Sequence, residues 1–376
     1  MSDEISAEKS AVTVSTRDAQ QTGKGLAVWL AAVLPEGADP EVLDISAPES
    51  NGMSSETLLF DAVWTEDGER VHHALVARVA PDVSDVPVFP SYDFEVQFGV
   101  MQLVGEHAPD VPVPGVRWLE LDRSAIGAPF FVMDRVSGRV PPDNMPYPMG
   151  SWLLEADEAD QRALQDASVR VLAGIHAIDV SSVDSAFLAL DLPGDTPLRR
   201  HVANQRAYYD WMRDGRVYPV IEEAFDWLDA NWPTDEGDTV ISWGDSRIGN
   251  MMYDEFTPVA VLDWEMAALG PRGIDLGWMI FIHDFFQDIC RVLEMEGMPG
   301  FMRSEDVAAV YAEASGVSVP DLGWYEVYAA LRHAIVMARV NQRSVHFGES
   351  EEPATPDEAV MHRDLLRLMM AGGHQR

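Results

Sequence analysis

Between Val240 and Trp278 the chain reads VISWGDSRIGNMMYDEFTPVAVLDWEMAALGPRGIDLGW. Asp245 stands five residues before Asn250, and Asp263 thirteen residues after it. Met251 to Tyr253 is a short apolar run, Asp254 to Thr257 a polar turn, and Val259 to Leu262 a second apolar run, a pattern that predicts a hairpin. A hairpin of this length returns its ends side by side. Asn250 and Asp263 are therefore expected to face one point.

That geometry suits phosphoryl transfer from a nucleotide. The reaction needs a carboxylate near the attacking hydroxyl and hard oxygen ligands for Mg²⁺. The protein kinase catalytic loop meets this need with an Asp five residues before a metal-binding Asn, and a second metal-binding Asp on a following strand. Asp245 is read as the catalytic carboxylate that orients and deprotonates an acceptor hydroxyl. Asn250, through its amide oxygen, and Asp263 are read as ligands of Mg²⁺, which prefers oxygen. The competing reading makes the two acids turn caps and Asn250 a tight-turn residue. The register of Asp263-Trp264-Glu265 and of Asp275 with the hairpin weighs against it.

These residues resemble the signature of the aminoglycoside phosphotransferase-like kinases, H-G-D-x-x-x-x-N followed by L-D-W/F-E and a later D-L-G/A. The chain offers Trp243-Gly244-Asp245, Asn250, Leu262-Asp263-Trp264-Glu265 and Asp275-Leu276-Gly277. It looks closest to a subgroup of bacterial phosphotransferases and kinase-like domains fused to acyl-CoA dehydrogenases, which often carry an Arg where Arg247 stands. Trp243 departs from the signature His, which in related kinases packs and braces the metal loop. An indole N–H only donates, so the change bears on the bracing more than on the chemistry.

The resemblance covers about residues 25 to 345. It implies an α+β, bilobal protein-kinase-like fold with a small antiparallel-sheet N-lobe and a larger, mainly helical C-lobe. The expected boundaries are a flexible arm over 1–24, a nucleotide-binding N-lobe over 25–136, and a C-lobe over 137–376 with the catalytic loop and acceptor site. The implied cofactors are ATP and Mg²⁺, and the implied partner is a small molecule with a hydroxyl group. An amino-bearing antibiotic would suit an acidic pocket. A hydroxy acid or hydroxyacyl-CoA would need basic residues such as Arg343 or Arg206. A nucleotide-binding pseudokinase acting through a protein partner is the third reading. Trp243 and the absence of a clear helix Glu are its support.

In the N-terminal third, Leu26 to Val33 fits a short helix. Val42 to Ile45, Thr57 to Trp64 and His72 to Val79 read as strands. The loop between the first two carries Ser54 and Ser55, which the resemblance places over the nucleotide phosphates. Arg78 matches the basic residue that holds phosphates on the third strand; an edge-strand Arg in solvent is the alternative. Asp93 to Val104 is expected to be a helix, with Glu95 or Gln97 as the partner of Arg78. Ala128 to Val136 resembles the strand entering the interlobe hinge. Met133 would stand behind the adenine, and Asp134 and Val136 would offer backbone groups.

Beyond Pro141-Pro142 the pattern is mostly helical, with helices expected over 160–177, 197–213, 220–232, 276–292, 305–314, 324–340 and 356–370. Asp275 is expected to cap a helix and brace the catalytic loop, and Glu265 to approach the metal. His283, Asp284, His333, Asn341, Arg343, His346, Tyr208, Tyr209 and Trp211 are pocket candidates that more often serve structure.

Composition narrows the partners. The 376 residues hold 63 acids against 26 bases, a formal charge of −37, which disfavours nucleic acid and anionic membranes. The only lysines are Lys9 and Lys24. Cys290 is the single cysteine, so an intrachain disulfide is excluded. No apolar run approaches the roughly 18 residues of a membrane span, and no charged-then-apolar leader opens the chain. A cytoplasmic protein is expected.

Overall fold

A computed structural model describes residues 18–46, 55–81 and 86–373. Its helices are α1 (Ala19–Val33), α2 (Phe94–His107), α3 (Glu158–His176), α4 (Pro197–Met212), α5 (Pro219–Ala230), α6 (Gly273–Val292), α7 (Ser304–Ser315), α8 (Leu322–His346) and α9 (Arg363–Met370). Its strands are β1 (Glu41–Ser46), β2 (Glu56–Glu66), β3 (Glu69–Val79), β4 (Val116–Glu120), β5 (Phe130–Asp134), β6 (Thr239–Ser242), β7 (Met251–Asp254), β8 (Thr257–Val261) and β9 (Ala268–Pro271). The chain divides into two compact units. Unit 1 comprises residues 1–94, 116–135 and 339–353, and unit 2 comprises 95–115, 136–338 and 354–376.

Unit 1 is built on an antiparallel sheet of order β1-β2-β3-β5-β4. The period-2 alternation of β2 buries Leu58, Phe60, Ala62 and Trp64 on one face. Asp67 (φ 49°) and Gly68 (φ 86°) join β2 to β3, and both adopt the left-handed backbone that suits a two-residue hairpin. Leu26, Trp29 and Leu30 of α1 pack into the same core with Phe130 and Val132 of β5. The Trp29 indole donates to Glu120 at 2.9 Å and meets Phe130 edge-on at 4.8 Å between ring centroids. That contact satisfies the polar end of a large apolar side chain.

Helix α1 starts earlier than its apolar pattern predicts. Asp18 caps it by accepting from the Gln20 and Gln21 N–H groups, so residues 19–24, read above as part of an arm, are helical. Helix α2 runs on to His107, and β3 begins at Glu69.

Unit 2 combines helices with two small ribbons, β6–β9 and β7–β8, both antiparallel. The β7–β8 ribbon is the predicted hairpin. The β6–β9 pairing joins residues too far apart for local pattern to reveal. Helix α8 is longer than expected, and the helix predicted over 356–370 is broken. A 3₁₀ turn over Pro356–Ala359 precedes α9. Between them, buried His362 places Nε2 2.9 Å from the Ala330 carbonyl, a tertiary anchor that overrides local helical periodicity. No helix among the described residues is long and apolar enough to cross a membrane.

Candidate active site

The hairpin brings its ends together as its spacing requires. Met251 pairs with Val261, and the Leu262 N–H donates to the Asn250 carbonyl at 2.8 Å. Asn250 Nδ2 donates to the Asp245 carbonyl at 3.1 Å. This bond fixes the amide and commits its nitrogen, so the oxygen is the atom that could ligate a metal. Asp263 lies two residues past the end of β8 and adopts φ 58°, a left-handed conformation that costs a non-glycine residue about 1 kcal/mol or more.

Trp243 holds that conformation. Its indole N–H donates to the carbonyls of Leu262 at 2.9 Å and Asp263 at 3.2 Å, while the ring packs at 5.9 Å from Trp264. The residue in place of the signature His therefore braces the Leu262-Asp263 turn by donation. The brace removes the support that Trp243 lent to the pseudokinase reading.

Asp275 fixes the catalytic loop from beneath. It lies inside the first turn of α6 rather than at its cap, with Arg272 at the N-cap position. Fully buried, its carboxylate accepts from Ser242 Oγ (2.9 Å), Trp243 N (2.8 Å), Gly244 N (2.8 Å) and His176 Nε2 (2.9 Å). Burial alone raises its pKa, but the hydrogen bonds and charge of His176, with those of Gly244 and Ser242, bring it below the usual range. His176 is held in turn by Tyr311, whose hydroxyl lies 2.8 Å from Nδ1 and accepts from Arg272 at 2.9 Å. Ser246 Oγ donates to the Asp275 carbonyl at 2.8 Å.

Gly244 is required by geometry. Its φ is +91°, and a Cβ there would lie 2.2 Å from the Met266 carbonyl oxygen. Gly249 makes a different allowance: a Cβ would lie 2.4 Å from Asp143 Oδ2. Asp143 pairs with the Arg247 guanidinium.

Asp245 is 14% exposed at its side chain. Trp278 Nε1 donates to Oδ1 at 2.6 Å, and Arg247 Nε lies 3.0 and 3.2 Å from the two oxygens. Its pKa is pushed up to about 7, first by burial and then by the negative charge of Asp263. Hydrogen bonds from Trp278 and Asn250 and the charge of Arg332 oppose the rise. A carboxyl poised near neutrality, with Asn250 and Asp263 beside it, can hold a hydroxyl and take its proton.

The family model for the phosphotransferase enzyme family matches residues 55–325. The chain belongs to that family. Two curated relatives are the probable acyl-CoA dehydrogenase IBR3 of Arabidopsis thaliana and acyl-CoA dehydrogenase family member 11 of Gallus gallus. The first is 27% identical over 269 residues and the second 29% over 266. These matches cover 66% and 68% of this chain but only 31% and 32% of the relatives, so the chain spans about a third of their length.

Among solved structures, a Ralstonia eutropha protein provisionally described as an aminoglycoside phosphotransferase superposes with TM-score 0.64 at 22% identity. The match covers 93% of this chain and 97% of that one. A thermostable mutant of aminoglycoside phosphotransferase APH(4)-Ia, solved as a ternary complex with AMP-PNP and hygromycin B, superposes with TM-score 0.53 at 17% identity. That match covers 93% and 99% of the two chains. The fold is the expected α+β, protein-kinase-like one, with an antiparallel sheet in unit 1 and a mainly helical unit 2.

The remaining expected site residues of this phosphotransferase are placed as follows. Ser54 lies outside the described residues. Ser55 is 3% exposed, and its hydroxyl has no hydrogen-bond partner among the described residues. Arg78 is on β3, the middle strand of its sheet, and donates to Thr57 Oγ1 at 2.9 Å, which excludes an edge-strand arginine. Met133 is 8% exposed. The Asp134 side chain pairs with Arg117 at 2.6 Å, leaving its backbone for any hinge role. Val136 follows β5 in extended chain, and its backbone groups take no partner among the described residues. Glu95 is exposed, whereas Gln97 is 2% exposed with its amide nitrogen unpaired among the described residues.

Arg206 is committed to Glu222 at 2.6 Å and stacks 3.7 Å over Phe225. His283 is buried, within 2.8 Å of the Tyr147 hydroxyl and 3.1 Å of the Met298 carbonyl, so it serves packing. Sequence reasoning missed His176, Asp143, Trp278 and Arg332. Each is distant in sequence from the loop it supports, and only Trp278 lies within the signature stretch.

Proposed function

We propose that this chain transfers the γ-phosphate of ATP, with Mg²⁺, to a hydroxyl of a small molecule. The observation that carries the reading is the meeting of Asp245, Asn250 and Asp263 at the root of the β7–β8 hairpin. Asp245 aligns the acceptor hydroxyl and takes its proton as the oxygen–phosphorus bond forms and the bond to ADP breaks. Asn250 and Asp263 hold the metal. Their donor set, one amide oxygen and one carboxylate, fits a hard cation that draws its other ligands from phosphates and water. No group of three or more His, Cys, Asp or Glu among the described residues could hold a metal. Mg²⁺ held by Asn250 and Asp263 would offset the charge of the phosphates.

Arg78 and Ser55 hold phosphates, and the unpaired Ser55 hydroxyl suits that task. Met133 packs behind the base, and the backbone groups of Asp134 and Val136 read its edge. AMP-PNP in a structural neighbour supports nucleotide use, and hygromycin B in the same complex supports a hydroxyl-bearing acceptor. A hydroxy acid or hydroxyacyl-CoA acceptor is a second reading, favoured by the relatives named as acyl-CoA dehydrogenases.

The test is an ATP titration with Mg²⁺ and with excess chelator. Binding is expected to weaken at least ten-fold without metal, about 1.4 kcal/mol. Equal affinity in both conditions would remove the metal roles of Asn250 and Asp263. An ATP-consumption screen against amino sugars, hydroxy acids and hydroxyacyl-CoAs then separates the acceptor classes.

A further inference from the structure

Arg332 of α8 is fully buried, and no acidic side chain pairs with it directly. Its Nη2 donates to the Gly244 carbonyl at 2.9 Å, while Nε and Nη1 have no partner among the described residues. Burying a guanidinium this way is costly, because desolvation is not returned by an ion pair. The cost calls for a function.

Two contacts point to one. The Gly244 carbonyl belongs to the peptide unit whose other end is the Asp245 nitrogen, so Arg332 fixes the plane from which Asp245 departs. The guanidinium also lies 4.4 Å from the centre of the Trp278 ring, a cation–π contact between two buried side chains. The same indole, 4% exposed, donates its N–H to Asp245 Oδ1 at 2.6 Å. A cation over the ring face draws electron density from the indole and makes its N–H a stronger donor, as hydrogen bonds in series polarise one another. Arg247 already meets both carboxylate oxygens, at 3.0 and 3.2 Å; Arg332 acts on the same carboxylate from the other side of the indole.

We infer that Arg332 and Trp278 form a positioning pair that holds the Asp245 carboxylate in its working orientation, Arg332 acting through the Gly244 peptide and through the indole. This rests on the role of Asp245 under the proposed function. Trp278 meets the carboxylate only as a hydrogen-bond donor, and Arg332 does not touch it.

The experiment uses the full chain and three variants, Trp278→Phe, Arg332→Met and the double variant. Trp278→Phe keeps an aromatic ring for Arg332 and deletes the N–H together with the pyrrole part of the indole. With ¹⁵N-labelled tryptophan, the indole proton missing in Trp278→Phe identifies Trp278 in the wild type. In Arg332→Met that proton is expected to move upfield and exchange faster with solvent. An unmoved proton overturns the pair, whatever the reaction proves to be.

Kinetics supply the second readout. Each single variant is expected to lose about 10- to 100-fold in turnover, the scale of a small misplacement of a reacting group, with nucleotide KM within two-fold. The double variant should lose less than the product of the two single losses, because the residues share the indole route. Multiplied losses, or losses confined to KM, overturn the proposal. Should Arg332→Met fail to fold by circular dichroism, Trp278→Phe alone decides: full turnover refutes the pair. Absence of ATP turnover in the wild type refutes the phosphotransferase reading and leaves the indole-proton test standing.

Discussion

In unit 2 the backbone on either side of Asp245 is braced before any ligand arrives. Asp275 collects four hydrogen bonds beneath residues 242–244, and the Trp243 indole bonds the carbonyls of the Asp263 turn. In unit 1 the residues assigned to the phosphates sit on a regular sheet with less local support. Ser55 has a buried hydroxyl without a partner among the described residues, and Arg78 extends from mid-sheet to Thr57. The contrast follows from what each region must hold. The catalytic loop departs from regular structure, with Gly244 at φ +91° and Asp263 at φ 58°, and so needs external bracing. Strands β2 and β3 are held by their own ladder, and their polar groups can be kept for a ligand.

The largest expected effect is on the braced side. Asp245→Asn keeps shape and removes basicity, so turnover should fall by about 10²–10⁴, the contribution of a positioned acid–base group. Nucleotide affinity should persist, because Asn250, Asp263 and Arg78 are untouched. Asp263→Asn should lose metal-dependent nucleotide affinity together with turnover. Isothermal titration and steady-state kinetics on both variants check this, and near wild-type turnover in Asp245→Asn would refute the mechanism.

Asp275→Ala removes the brace itself. It strands His176, Ser242 Oγ and two backbone N–H groups in the interior, at a predicted cost of ~3–5 kcal/mol. Denaturant unfolding measures it, and a loss under about 1 kcal/mol would show that the loop holds its shape without Asp275. The pH dependence has a definite sign. A carboxyl whose folded pKa lies below its unfolded value contributes stability above the unfolded value, about 3.9 for Asp. That contribution is lost as pH falls through the folded value. Wild-type stability should therefore drop below about pH 4, and Asp275→Asn should be flatter over the same window.

The same contrast explains what the sequence made legible. Asn250 and Asp263 meet because one hairpin joins them, and alternation with turn chemistry expresses a hairpin locally. Gly244 and Asp245 lie in a contiguous signature. His176 reaches Asp275 across 99 residues, Arg332 reaches Gly244 across 88, and Asp143 reaches Arg247 across 104. No local period encodes such pairings. A lone His ending an amphipathic helix and an Arg inside an apolar one read as ordinary helix residues until the fold brings them to the loop. The break before α9 escaped for the same reason, since His362 is anchored on Ala330 of another helix.

On the unit 1 side the effects should be smaller and should fall on ligand binding. Arg78→Ala is expected to raise nucleotide KM about ten-fold while acceptor KM changes little, since a phosphate contact acts in the ground state as well as the transition state. Unchanged nucleotide affinity would return Arg78 to a packing role around Thr57.

Ser55→Ala carries the comparison to its limit. A buried hydroxyl without a partner destabilises a protein relative to a methyl of similar size, because its desolvation is not repaid. The free protein should therefore keep its stability or gain up to about 1 kcal/mol. In the nucleotide complex the same hydroxyl would donate to a phosphate oxygen, a charge-assisted bond worth roughly 1.5–3 kcal/mol. Nucleotide affinity should then fall by about ten-fold or more. Thermal unfolding of Ser55→Ala with and without nucleotide reads both quantities in one experiment. Without nucleotide the variant should match or exceed the wild type, and with saturating nucleotide it should lag behind. A variant already weaker without ligand would mean that Ser55 is held within the protein. Equal shifts on adding nucleotide would exclude Ser55 from the phosphate site. In Asp275→Ala the order reverses, with the loss present before any nucleotide is added.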